Sequence, residues 1–323
     1  MRLRSLASTL AAALLLAVAS YAVSAQVIID TDVGDDIDDA FAIDLALASP
    51  ELKILGITSA WGDTALRARM LDRMLCETGR TDVVVAQGVP TTGKSAAFTQ
   101  APWAKAGVEH AHKDGVTFLL DQIKAHPGEI TLLALGPLTN IGAAIDRDPA
   151  MFKKLKRVVL MGGSVRRGYG PAGTPPEPEY NIDRDPGAAQ KLLRSGVPLF
   201  FLPLDATMLE FDDAKNAELT TISTPITDSL QVLAAEWAHG QKRKTPTLFD
   251  AIAAAYALDA KSCSMTPLHL EIDGKGMMTE KPGTPNASAC LTANPEAFFA
   301  ILMPRLMQQR LVGTQACLAR GAK

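Results

Sequence analysis

The tightest constraint on this chain is a run of six aspartates within ten residues, Asp30-Thr31-Asp32-Val33-Gly34-Asp35-Asp36-Ile37-Asp38-Asp39. It is wedged between two apolar stretches. Val27-Ile28-Ile29 leads in and Phe41-Ala42-Ile43-Asp44-Leu45-Ala46-Leu47 leads out. The first reads as a buried strand and the second as a helix. The carboxylates therefore occupy the turn between a strand end and a helix start, where α/β folds bind ligands. Massed carboxylates repel one another unless a cation or bound donors offset their charge. An oxygen-only donor set selects a hard ion, Ca²⁺ or Mg²⁺, over zinc. A solvated turn with a capping aspartate is the plainer reading, but one aspartate suffices for a cap.

The rest of the chain repeats the strand-then-helix pattern. Apolar runs at 52–59, 83–86, 130–135, 157–161 and 199–204 read as strands, and 65–78, 116–125 and 186–194 as helices. Such intervals suit crossovers, so the pattern predicts an α/β fold: a mainly parallel open sheet with helices on both faces. Asp32, Asp63, Gly136, Gly162 and Asp205 each follow a predicted strand end. In a parallel sheet those ends share one edge, and glycine there lets a backbone come close to a ligand. Residues 91–114 and 164–180 read as long loops, a class that is often functional. Residues 212–262 read as mostly helical, with Asp250 in a capping position before an apolar helix. Residues 266–292 read as an edge hairpin and 295–309 as a last helix.

At 323 residues and 47% hydrophobic the chain can bury a sizeable core, and no linker or repeat divides it. A net charge of −3 offers nothing to nucleic acid or an anionic membrane. Arg2 and Arg4, an apolar run at 10–18 and Val23-Ser24-Ala25 form a secretory leader pattern. The reading is a signal peptide over 1–25 and one domain over 26–323, exported and periplasmic; a retained anchor is the alternative. The four cysteines, Cys76, Cys263, Cys290 and Cys317, allow three pairings, and none is fixed by spacing.

An ordered set of blocks resembles the inosine-uridine nucleoside hydrolase family. They are Asp30-Thr31-Asp32-Val33-Gly34 with Asp38-Asp39-Ala40, Trp61-Gly62-Asp63, Ala134-Leu135-Gly136-Pro137-Leu138-Thr139-Asn140-Ile141, Val159-Leu160-Met161-Gly162-Gly163, Glu179-Tyr180-Asn181-Ile182 and Leu248-Phe249-Asp250. The resemblance spans about 27–260 and implies the Rossmann-like fold of that family. It implies Ca²⁺-dependent hydrolysis of the N-glycosidic bond of ribonucleosides, releasing base and ribose, by a homo-oligomer (dimer or tetramer). Carried over, Asp32, Asp39 and Asp250 are calcium ligands, with the Leu135 carbonyl, and Asp32 is also the base that takes a proton from water. Asp38, Glu179 and Asn181 hold ribose, Met161 lines the floor, and Asp63 and Phe249 are further substrate contacts.

Three features depart from the family pattern. The fingerprint is longer here, and Asp35-Asp36-Ile37 fills the gap, so Asp35 or Asp36 competes with Asp38 for the ribose role. Asp63 stands where many members have asparagine. Phe249 stands where many have the histidine that protonates the leaving base; it can stack on a base but not donate a proton. Donors left to consider are His110, His112 (the first choice, in the long loop), His239 or water. This keeps a second hypothesis open, an exported nucleoside- or ribose-binding protein with weak or no catalysis. A haloacid dehalogenase-type phosphohydrolase fits Asp30-Thr31-Asp32 but not Asp38-Asp39 or the later blocks. An EF-hand fails because Phe41 stands where its last ligand, a glutamate, is required.

Overall fold

The computed structural model describes residues 24–92 and 98–309. The expected leader lies almost wholly outside these residues, as does Cys317. The strands are β1 (Ala25–Thr31), β2 (Leu52–Ser59), β3 (Val84–Gln87), β4 (Lys113–Asp114), β5 (Ile130–Ala134), β6 (Arg157–Met161), β7 (Leu199–Leu202), β8 (Cys263–Ile272), β9 (Met278–Lys281) and β10 (Ala287–Ala293). They form one ten-stranded sheet in the order β4-β3-β2-β1-β5-β6-β7-β10-β8-β9. All pairings from β4 across to β10 are parallel, and β10–β8 and β8–β9 are antiparallel.

The order explains where a ligand can enter. From β1 the chain winds outward through β2, β3 and β4, then returns to place β5 on the other side of β1 and winds away again. Crossovers leave β1 in opposite directions, which opens a crevice at the carboxyl ends of β1 and β5. In register, Asp30 pairs with Ala134 and Ala134 with Leu160. The acidic turn, Leu135 and the end of β6 therefore lie side by side.

The central parallel strands β1, β5 and β6 are buried on both faces, so their apolar runs are continuous. Val27 and Ile29 of β1 face one core with the helices Asp38–Leu47, Ala251–Leu258 and Pro295–Met307. Ile28 faces the other with Gly115–Ala125, Thr139–Arg147 and Pro186–Arg194. Each such side chain stabilises by about 1.5–3 kcal/mol. A slip of one residue would exchange the two sets and move Asp30 and Asp32 to the wrong faces.

Two expectations change. The 91–114 loop contains a helical turn, Ala101–Lys105, and the two-residue edge strand β4. The segment read as an edge hairpin supplies three strands, and β10 continues the parallel sheet beside β7. Alternation in 266–292 showed strands but not the partner of the last one. Cys263 and Cys290 form a disulfide across this region. Among the described residues no helix is long and apolar enough to cross a membrane.

Candidate metal and substrate site

β1 delivers the acidic turn into the crevice, where Asp32, Asp35, Asp38 and Asp39 are all buried. The turn is held from below by Arg67, a side chain only 1% exposed. Its guanidinium donates to the carbonyls of Asp32 and Val33 and pairs with Asp35 Oδ2 at 2.9 Å. Its Nε donates to the Trp61 carbonyl at 2.9 Å. That bond pins a residue at φ 59°, a left-handed conformation that costs a non-glycine residue about 1–2 kcal/mol. From above, Thr99 and Gln100 bind the carbonyls of Asp35 and Asp36. Asp30 accepts from Thr58 and from Asn140 Nδ2, so it braces β1 against its neighbours.

Asp38 and Asp39 open the helix Asp38–Leu47, and Asp250 precedes the helix Ala251–Leu258 packed against it. Oxygens of these three carboxylates lie within 4.8 Å of one another. Asp38 Oδ2 accepts from the Asp250 backbone N–H at 3.1 Å, and the Thr31 hydroxyl donates to Asp39. Asp250 Oδ1 is buried with no partner. Burial pushes all three carboxyls well above the ordinary range, and repulsion from the neighbouring aspartates, Asp32 among them, adds to it. Asp32 lies on the same cavity wall, outside this tight group. Burial raises its carboxyl to about 7, against the attraction of Arg67. Buried, oxygen-only, crowded and incompletely bonded, the group has the donor chemistry of a hard divalent cation.

The cluster opens on a cavity of about 210 Å³. Leu135, Met161, Glu179, Asn181 and Phe249 line it, as do Asp32, Asp38, Asp39 and Asp250. The Leu135 carbonyl accepts from Asn181 Nδ2 at 2.8 Å, which orients that amide. Gly136 is required here: a Cβ would come within 2.7 Å of Asp32 Oδ1. Glu179 is locked by the backbone N–H groups of Gly163, Asn181 and Ile182. Burial nevertheless lifts it to about 7. Tyr169 meets Phe249 edge to face, with ring centres 6.0 Å apart, so two aromatics flank the cavity. Tyr180 also lines it, with a buried hydroxyl that has no partner.

Asp38, expected on ribose, stands with Asp39 and Asp250 on the cavity wall, and Asp32, expected on the metal, stands beside them. Asp35 pairs with Arg67 through Oδ2 while its Oδ1 has no partner, and both Asp35 and Asp36 line the cavity. Two of the expected residues lie away from it. Asp63 does not line the cavity: it caps the helix Thr64–Glu77, accepting from Leu66 N–H at 3.0 Å, and is exposed. His112 is turned to Asp72 on the outer side of that helix and does not line the cavity. Asp205 braces the 164–180 loop through the N–H groups of Val165 and Arg166.

The sequence reading passed over Arg67, Tyr169, Tyr180 and Gln241. Arg67 carried a signal, since it shares the apolar stripe of Leu71, Met74 and Leu75. Tyr169 and Gln241 reach the cavity from a loop and a helix end whose placement no local pattern specifies.

Comparison with known proteins agrees with this architecture. Residues 27–300 match the family described as inosine-uridine preferring nucleoside hydrolase. A probable uridine nucleosidase 2 of Arabidopsis thaliana is 37% identical over 200 residues, covering 56% of this chain and 60% of that protein. The pyrimidine-specific ribonucleoside hydrolase RihB of Escherichia coli is 33% identical over 198 residues, 56% of this chain and 60% of that one. The alignments thus span about three fifths of these relatives' length. A plant nucleoside hydrolase structure, PpNRh1, superposes with a TM-score of 0.76 at 24% identity, over 88% of this chain and 99% of that one.

Proposed function

The chain belongs to the inosine-uridine preferring nucleoside hydrolase family, and from that premise we propose that it hydrolyses the N-glycosidic bond of ribonucleosides, releasing free base and ribose. The observation that carries the proposal is the buried Asp38–Asp39–Asp250 group, with an unpartnered Asp250 oxygen, opening on a cavity flanked by Phe249 and Tyr169. Ca²⁺ is the ion proposed; Asp38, Asp39 and Asp250 would hold it, with Asp32 and the Leu135 carbonyl beside them. Bound there, it would offset the carboxylate repulsion, acidify water and favour a diol's oxygens.

The chain's own groups account for the rest. Asp32, on the cavity wall beside the acidic group, is the carboxylate that accepts a proton from the attacking water. The cleavage passes through an oxocarbenium-like state, so the surrounding carboxylates stabilise the positive charge that develops on ribose. Glu179 and Asn181, each fixed by backbone partners, present a rigid wall to the sugar. Phe249 and Tyr169 take the base by stacking. The departing base draws its proton from water or the Tyr180 hydroxyl, because no histidine lines the cavity among the described residues. The relatives named for uridine and pyrimidine ribonucleosides make uridine the first substrate to test.

We place the protein in the periplasm as a homo-oligomer, dimer or tetramer, with no nucleic-acid partner. The leader pattern and the Cys263–Cys290 disulfide support an oxidising compartment.

The test is ribose release by residues 26–323 from uridine, cytidine, inosine and adenosine, with and without a calcium chelator. Expected is uridine turnover that chelation removes and calcium restores. The missing histidine favours a second reading, a nucleoside-binding protein. It would be upheld by the absence of turnover with every nucleoside while uridine still raises the melting temperature in calcium.

A further inference from the structure

Away from the cavity, the helix Thr64–Glu77 and the segment before β4 bring together Asp72, His110 and His112. Both histidines aim Nε2 at the same oxygen, Asp72 Oδ2, at 2.8 Å from His110 and 2.7 Å from His112. The ligand atoms all lie within 4.8 Å of one another. The imidazoles stack with centres 4.3 Å apart, because residues two apart on an extended segment share a face. The segment is fastened to the helix by Arg69, whose Nε donates to the Gly107 carbonyl at 2.7 Å, and by Arg73, which lies over the Trp103 ring. His112 is 4% exposed at its side chain and His110 52%, so the group is anchored on one side and open to solvent on the other.

The hydrogen-bond chemistry points to a cation. His110 Nδ1 lies 3.1 Å from the Ala111 carbonyl, which can only accept, so Nδ1 carries the hydrogen. A neutral His110 then turns a lone pair on Nε2 toward a carboxylate oxygen. Two acceptors at that distance need a positive charge between them, a proton or a metal ion. Metal-ligating histidines commonly donate their other ring nitrogen to a backbone carbonyl in this way. Two imidazole nitrogens and a carboxylate form a donor set suited to late first-row ions. Zinc–nitrogen bonds of about 2.0–2.1 Å require only small shifts of these side chains.

We propose that Asp72, His110 and His112 form a second metal site, taking Zn²⁺ or a similar late first-row divalent ion, with water completing the coordination through the exposed side. The site is chemically distinct from the oxygen-only group in the crevice, and the bound ion clasps the 105–114 segment to the helix.

The test is equilibrium dialysis of residues 26–323 against zinc at pH 7.5, with calcium in excess to occupy the acidic group, followed by metal analysis. Expected is a single retained zinc equivalent with a higher melting temperature. His110→Gln, on a half-exposed side chain, should lose the zinc and the thermal gain while its far-ultraviolet circular dichroism stays unchanged. His112→Gln and Asp72→Asn should lose zinc as well. Zinc retained by the His110→Gln/His112→Gln double variant would overturn the proposal. So would wild-type protein that retains no zinc, leaving Asp72 as a hydrogen-bonded latch only.

Discussion

The two acidic groupings of this molecule differ in almost every respect that bears on chemistry. Asp38, Asp39 and Asp250 offer only oxygen, are buried, and meet at the carboxyl edge of a parallel sheet. Asp72, His110 and His112 mix nitrogen with oxygen, are partly exposed, and meet on the outer side of a helix. One helix, Thr64–Glu77, serves both: Arg67 on its inner face holds the acidic turn, and Asp72 on its outer face holds the histidines. The same residue type, aspartate, is thus set among oxygens alone in one place and beside imidazole nitrogens in the other. The neighbours decide, through dielectric, donor type and access.

The largest expected effect separates the two sites. Asp39→Ala should remove calcium-dependent turnover by more than about a hundredfold, beyond the loss typical of a residue that only supports a ligand. Zinc retention at the outer site should be unchanged in the same variant. Calorimetric titration with each metal checks this, and normal calcium affinity would move the ion out of the acidic turn.

Next in size is Arg67→Met. It leaves Asp35 buried without its partner and frees three carbonyls, which should cost about 3–5 kcal/mol. Denaturant midpoints measure it. A loss below about 1 kcal/mol would mean the turn holds its shape without the guanidinium.

A smaller effect distinguishes the regions by pH. Asp30 is raised from 3.8 to about 6, Asp32 from 3.8 to about 7 and Glu179 from 4.5 to about 7, each chiefly by burial. Because the folded values exceed the unfolded ones, the folded state holds more protons in this window. Their contribution to stability is therefore complete below the ordinary values and is lost as pH rises to about 7. In chelator the melting temperature should fall across that window, and calcium should flatten the fall. A flat profile in chelator would show that the buried carboxylates are already compensated by the protein.

The smallest effect concerns Asp63. Asp63→Ala should lose about 1 kcal/mol of helix capping with kcat/KM unchanged. A large loss of activity at full stability would return Asp63 to the substrate site.

Much of this was legible from local pattern. The continuous apolar runs of β1, β5 and β6, the acidic turn after β1 and the glycine after β5 depend on neighbours in the chain, and the sequence states those directly. The strand ends were therefore placed on one edge before any contact was known. The partners across that edge were not legible. The family resemblance reached Asp250, whereas its position alone suggested a helix cap; its N–H meets Asp38 across 212 residues. Arg67 shares the apolar stripe of its helix, which marks it as inward-facing, but the groups it binds in the acidic turn lie 32 to 35 residues away. His112 was weighed as a proton donor because it lies in a long loop, yet its Nε2 contacts an aspartate forty residues away.

The sequence by itself determined the class of fold, the order of its layers and the turn that gathers the carboxylates, because periodicity and turn chemistry act over a few residues. Tertiary structure alone decided which carboxylates converge, which are neutralised by Arg67 and which pair with histidine. Those outcomes rest on burial and on contacts between segments far apart in the chain, and no local propensity encodes the distance between two side chains that meet only after the sheet has closed around them.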